Sequence, residues 1–191
     1  MTVFEIPDDA RALLGVWSDW HDAAFPLDRT MIRRFYQAVG DVNPVYWDEE
    51  AAAESRYGGV VAPPLMPSGA GLGVSHAGFE MPDGVPDPLE GQGADDSFSG
   101  IARHEADVAL LPRLDLPGVR GGAIGGFEHR LYQLPRLGDR LKRRERYVAF
   151  EESESERGPR LAVTAESEYR NDRDELLLIS FATTHYSPAT A

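Results

Sequence analysis

The 191-residue chain contains no cysteine. Disulfides, thiolate metal sites and cysteine nucleophiles are therefore excluded together. Long apolar runs are missing as well. The longest, such as Val108–Leu111 and Leu176–Ile179, fall far short of the ~20 residues that span a bilayer. Positive charge is scarce: 19 Lys+Arg stand against 32 Asp+Glu, for a formal net charge of −13. Nucleic-acid affinity comes mostly from Lys and Arg meeting phosphates, so that class of partner is excluded. The five histidines show no HExxH or paired spacing; His76 and His104 fall in or beside a Pro- and Gly-rich stretch, and His21 and His185 have no partner nearby in sequence. A metal site is not expected, and no cofactor is implied. Met1–Ala12 carries acids and no apolar stretch, so a secretory signal is not expected and the default is a soluble cytoplasmic chain. At this length one domain of roughly 100–200 residues is the prior, with a core able to stand without staples.

The first fifty-odd residues read as helical. Asp28 is a good N-cap, because its side-chain oxygen can accept an orphan N–H of the first turn. Met31, Ile32, Phe35, Tyr36, Ala38 and Val39 follow at helical spacing, and Gly40 stands where a left-handed terminator belongs. A second short helix is expected at Glu49–Ser55, capped by Asp48. Between the two, Pro44 pushes Asn43 out of the helical region and fixes a turn. Leu65–Val74 is apolar all round and rich in small residues, the pattern of a buried helix; Gly69, Gly71 and Gly73 suit close packing there. They do not make a nucleotide loop, since no strand precedes them and no βαβ unit follows.

Residues 75–122 alternate Pro, Gly and Asp and read as one long irregular insertion. The last seventy residues read as an antiparallel meander. Phe127–Leu134 ends at Pro135, Gly138-Asp139 turns the chain, and Arg140–Glu151, Arg160–Tyr169 and Leu176–Tyr186 follow. Helices first and strands afterwards predict an α+β domain whose sheet wraps the apolar helix.

The segment Gly40-Asp41-Val42-Asn43-Pro44-Val45-Tyr46-Trp47-Asp48-Glu49-Glu50-Ala51-Ala52 resembles the hydratase motif of MaoC-like acyl-thioester dehydratases. Three further pieces fit the same family in the same order. They are Tyr57-Gly58-Gly59-Val60-Val61-Ala62-Pro63-Pro64, Gly126-Phe127-Glu128 through Pro135, and Gly138-Asp139-Arg140-Leu141. The resemblance covers roughly Asp28–Gly73 and Gly122–Tyr186 and skips the insertion. It implies the hotdog fold, a long central helix wrapped by a curved antiparallel sheet, usually dimerised edge to edge. It also implies reversible (R)-specific hydration of a trans-2-enoyl thioester of CoA or acyl carrier protein. In that family an Asp and a His five residues apart share the water, and a backbone N–H at the start of the central helix polarises the carbonyl, a natural oxyanion donor.

The departures are as specific as the match. Asp41 occupies the position of the family's Asp and Asn43 that of its partner, but Tyr46 stands at the His position. A phenol is a poor base near neutrality beside imidazole. Pro64 stands where the family has a glycine, and proline has no N–H to offer. The pattern resembles the degenerate half of two-part family members, in which one hotdog supplies the Asp and His and the other shapes the acyl channel. One chain of this length accommodates one hotdog, so a second hotdog chain, identical or not, is expected as partner. The alternatives are a self-sufficient enzyme with a variant site, built on Asp41 and Tyr46 or on His129, and a thioesterase or acyl-binding protein on the same fold.

The candidate catalytic residues are Asp41, Tyr46 and His129; His129 shares a strand face with Phe127 and Leu131. Asn43, Pro64, Leu65, Ser68 and Gly69 are the candidate thioester contacts. Arg140, Lys142, Arg144 and Arg146 alternate along one strand face, and Arg144 is the candidate for the anionic carrier.

Overall fold

The computed structural model describes residues 4–23, 25–68, 110–156 and 158–189. Of the expected central helix Leu65–Val74 only residues 65–68 are among them, as turns. Gly69, His76, His104 and the greater part of the expected insertion lie outside the described residues.

Helix α1 is Asp8–Ala12 and α2 is Arg29–Val39. The ends of α2 follow from its capping residues. Asp28 accepts the Met31 N–H at 2.7 Å, and Gly40 takes φ 71°, the left-handed conformation that releases the chain. A 3-10 turn, Pro44–Tyr46, follows, then α3, Glu49–Glu54, whose first turn is capped by Asp48 through Glu50 N–H and Ala51 N–H. Ile32 is the wholly buried residue of α2, with Met31, Phe35 and Tyr36 packed alongside the core.

Five strands form one antiparallel sheet: β1 His21–Asp22, β2 Val119–Leu131, β3 Leu141–Ser155, β4 Gly158–Asn171 and β5 Leu176–Pro188, in the order β1-β3-β4-β5-β2. Three consecutive strands, β3 to β5, form the expected meander. The strand before them does not join it where expected: β2 crosses over to pair with β5. Gly138-Asp139 is thus not a hairpin turn but part of a crossover. Gly138 N–H bonds Leu27 O, Leu137 N–H bonds Val60 O, and Arg136 bridges to Val61. The crossover is docked on the helical layer instead of folding back on its own strand. Strand β2 also begins at Val119, inside the stretch read as irregular. Two of its glycines sit in crowded positions: a Cβ on Gly125 would lie 2.0 Å from the His185 ring, and one on Gly122 2.5 Å from a Thr184 methyl.

Directly opposed residues of an antiparallel pair share a face, so the registers assign two faces. The inner face buries two apolar clusters. One joins Leu141, Tyr169 and Leu178 to Ile32, Tyr46, Val61, Ala62 and Met66. The other, at the far end of the strands, joins Leu161 and Val163 to Phe4, Ile6, Ala10 and Leu116.

The basic stripe lies on the outer face and is not a free solvated surface. Arg144 donates from Nε and Nη2 to Glu168 at 3.1 and 2.8 Å, and Arg146 donates to Glu166 at 2.8 Å. Their guanidinium groups lie 4.2–4.6 Å from the rings of Trp17 and Trp20, and Lys142 sits over Trp20 at 4.9 Å. Each such contact contributes about 0.5–2 kcal/mol. Together they hold residues 14–22 against the sheet, beside the backbone bonds Gly15 N–H to Tyr147 O and Ser18 N–H to Glu145 O.

Candidate active site

Four local features bring Asp41 and Tyr46 together. Gly40 turns the chain, and Asp41 N–H closes onto Tyr36 O at 3.0 Å. The Asp41 carboxylate accepts Asn43 N–H at 3.1 Å, and the Asn43 side-chain oxygen accepts Val45 N–H at 3.2 Å. Asn43 therefore caps the 3-10 turn that Pro44 begins, the Asx-turn chemistry of these residue types. Its side-chain oxygen thereby helps to position Tyr46.

Tyr46 is buried and stacked on Tyr36, with ring centroids 6.4 Å apart and 23° between planes. Its phenol lies within electrostatic reach of the Asp41 carboxylate. Burial, then the Asp41 carboxylate, and then Tyr57, push the phenol up to about 12. Tyr46 is locked in its neutral form at physiological pH. It is a hydrogen-bond donor and cannot take a proton from water, which is what the imidazole does in the motif it departs from.

The strand-like segment that leads to the prolines lies beside this pair. Val61 N–H bonds Val45 O at 3.3 Å, and Val61, Ala62 and Met66 share the cluster of Tyr46. After Pro63 and Pro64 the first amide is that of Leu65, and its N–H makes no hydrogen bond among the described residues. Leu65 is 40% exposed. Ser68 donates from N and Oγ to Leu65 O at 3.1 and 3.2 Å, so its hydroxyl is engaged locally.

The remaining candidates are elsewhere. His129 is on the inner face of β2, stacked with Phe127 at 6.1 Å, and no described contact links it to Asp41 or Tyr46. Arg144 is on the outer face, held by Glu168 and the two tryptophans. Sequence reading missed Tyr36 and Tyr57, the aromatic neighbours of Tyr46. It also missed the inner-face polar residues Arg143 and Glu145, although strand alternation puts them opposite the basic stripe and was available to find them.

Comparisons with known proteins bear on this geometry. Residues 12–91 match the FAS1-like dehydratase domain region. Forty-one residues are 44% identical to the 3-oxo-4,17-pregnadiene-20-carboxyl-CoA hydratase alpha subunit of Mycobacterium tuberculosis, a match that spans 22% of this chain and 13% of that protein. The ChsH1-ChsH2 complex from the same organism contains a chain that superposes with a TM-score of 0.60 at 20% identity, covering 92% of this chain and 86% of that one. The MaoC-like dehydratase from Rhodospirillum rubrum superposes with a TM-score of 0.53 at 22% identity, covering 91% and 94%. The chain has the hotdog fold of these structures, and its residues 12–91 match a FAS1-like dehydratase region.

Proposed function

We propose that the chain is the acyl-binding, catalytically incomplete subunit of a two-chain enoyl-thioester hydratase or dehydratase. A second hotdog chain would supply the Asp–His pair. The observation that carries this reading is Tyr46: at the imidazole position stands a buried phenol, pushed up to about 12 by burial and by the Asp41 carboxylate. It donates where the chemistry needs a group that alternately accepts and returns a proton. Each chain contributes one hotdog, acting in the cytoplasm on an acyl-CoA or acyl-carrier-protein thioester. The N–H of Leu65, one residue beyond Pro64 and unbonded among the described residues, is the amide best placed to meet a thioester oxygen. His129 is assigned no catalytic part, and Arg144 no carrier contact.

The edge strand β2 supports the partner. Ile124, Phe127, Leu131 and the adjoining Tyr132 are 51–72% exposed along a thirteen-residue edge, a surface that unpartnered proteins avoid. The Mycobacterium tuberculosis structure with the same fold is itself a complex of two differently named chains.

The test is a hydration assay on a panel of enoyl-CoA substrates. The purified chain alone is expected to be inactive, and to support turnover only with a hotdog partner carrying an intact Asp-x-Asn-Pro-x-His. Robust hydration by the lone chain, lost on Asp41→Ala, refutes the proposal and assigns the activity to a variant Asp41–Tyr46 site.

A further inference from the structure

At the far end of the sheet from Tyr46, the outer face carries a concavity of about 820 Å³. The strand registers build it. Leu161 and Tyr186 pair and pack on the inner side, so their neighbours Arg160 of β4 and Ser187 of β5 face outward beside each other. Arg120 of β2 pairs with the same Ser187. Arg120, Ser187 and Arg160 thus form one row across three strands, a guanidinium on each side of a hydroxyl, and all three line the concavity. Adjacent strands lie about 4.8 Å apart, so the two arginine backbones stand about 10 Å apart, within reach of a shared ligand. His185 lies one pleat away on the same face and lines the space too. The register of β2 slips between Arg120 and Ala123, and Gly121 there puts no side chain into the opening. Such bulges re-aim side chains and recur beside functional sites.

The charges at this end differ from those of the rest of the face. Arg144, Arg146 and Arg170 are each held by Glu168 or Glu166. The guanidinium groups of Arg120 and Arg160 make no hydrogen bond or ion pair with any described residue, although the net charge of the chain is −13. Glu154 and Glu156 line the same concavity, and neither pairs with them.

We propose that this concavity binds the phosphate or pyrophosphate group of a small molecule, held between Arg120 and Arg160 with Ser187 beneath. Guanidinium forks pair phosphate oxygens bidentately, and two forks from different strands fix the group's orientation. Glu154 and Glu156 repel a longer polyanion, which restricts the ligand to a compact group. The site does not depend on the acyl-binding reading. Ser187 stands nine residues along β5 from Leu178 of the Tyr46 cluster, about 30 Å away and on the other face.

The experiment is calorimetric titration of the purified full-length chain with pyrophosphate, ADP and CoA at low salt. Pyrophosphate is expected to saturate one site with a Kd of about 1 mM or tighter. Arg120→Gln and Arg160→Gln are each expected to weaken it about tenfold. Glu154→Gln is expected to tighten it, and Arg33→Gln, on the exposed side of α2, to leave it unchanged. All four substitutions are at surface positions, and unchanged denaturation midpoints verify the fold. CoA binding more tightly than pyrophosphate and ADP, through the same two arginines, assigns the phosphate to the thioester carrier. Equal binding of the three assigns it to a free phosphorylated ligand. Absence of saturable binding, survival of binding in the Arg120→Gln/Arg160→Gln double variant, or an equal loss in Arg33→Gln overturns the proposal.

Discussion

Replacing Tyr46 by Phe removes the hydroxyl, and with it the interaction with the Asp41 carboxylate, from a ring that otherwise packs unchanged. A hydrogen bond to a charged acceptor contributes about 1.5–3 kcal/mol, which is an upper bound for this contact. Asp41 is only partly buried and keeps the Asn43 N–H, so water recovers part of that sum. About 1–2 kcal/mol should be lost near neutral pH, which for a domain of this size lowers Tm by roughly 3–6 °C. The pH dependence gives the sharper test. Tyr46 has its folded pKa raised from 10.0 to about 12. Its contribution is therefore fully present below pH 10 and is lost as pH rises towards 12, because the unfolded phenol ionises first. Two pKa units correspond to about 2.7 kcal/mol, more than the advantage at neutrality. The stability curves of wild type and Tyr46→Phe, measured by denaturant titration at increasing pH, should cross between pH 10 and about 12. Burial also raises Tyr147 and Tyr169, but both proteins share those groups and they cancel in the difference. Curves that stay parallel across that window would show that the phenol is not held by burial and Asp41.

Gly125→Ala should destabilise by about 1–3 kcal/mol through overpacking, since the new methyl falls 2.0 Å from the His185 ring. The double variant with His185→Ala should recover most of the loss in a denaturation midpoint, and failure to recover would mean that the backbone at Gly125 is the constraint. Burial alone would raise the Glu168 carboxyl, but hydrogen bonds from Arg144 and Arg170 and their charges hold it below its ordinary value. Its contribution is present above the ordinary carboxylate range and lost as pH falls through the lowered folded value. In acid titrations, the stability difference between wild type and Glu168→Gln should therefore shrink as pH drops below about 4.5, and a constant difference would refute the assignment.

The features legible in the sequence are those set by neighbours along the chain. Asp28, Gly40 and Asp48 mark helix ends by local hydrogen bonding, and Leu161, Val163 and Ala165 reveal their strand by alternation. The resemblance to a known motif located Asp41 and Tyr46, and five residues of spacing across a Pro-initiated turn suffice to bring them together. The rest depended on distant contacts. Gly122 and Gly125 of β2 look like loop until Thr184 and His185 are seen pressing on them. The pairing of β2 with β5 spans some sixty residues of chain and leaves no local trace, so Gly138-Asp139 reads as a hairpin. The basic stripe was placed on the correct strand, and its alternation was sound. Trp17 and Trp20, which cover it, come from a segment with no periodicity to announce that it lies along a sheet edge.

The two borders of the sheet are unlike. Along β3 the chain's own residues 14–23 occupy the backbone positions that another molecule would need, through Gly15, Ser18 and Ala23 N–H groups. Along β2 no described residue does so. A sheet with one sealed border and one available border can be extended once, after which the joined sheet presents a sealed border at each end whenever the partner is built alike. Such a design stops at a pair. Filament growth, the hazard of long apolar strands at a margin, is opposed on the other side of the sheet by a border whose backbone groups the chain itself already occupies.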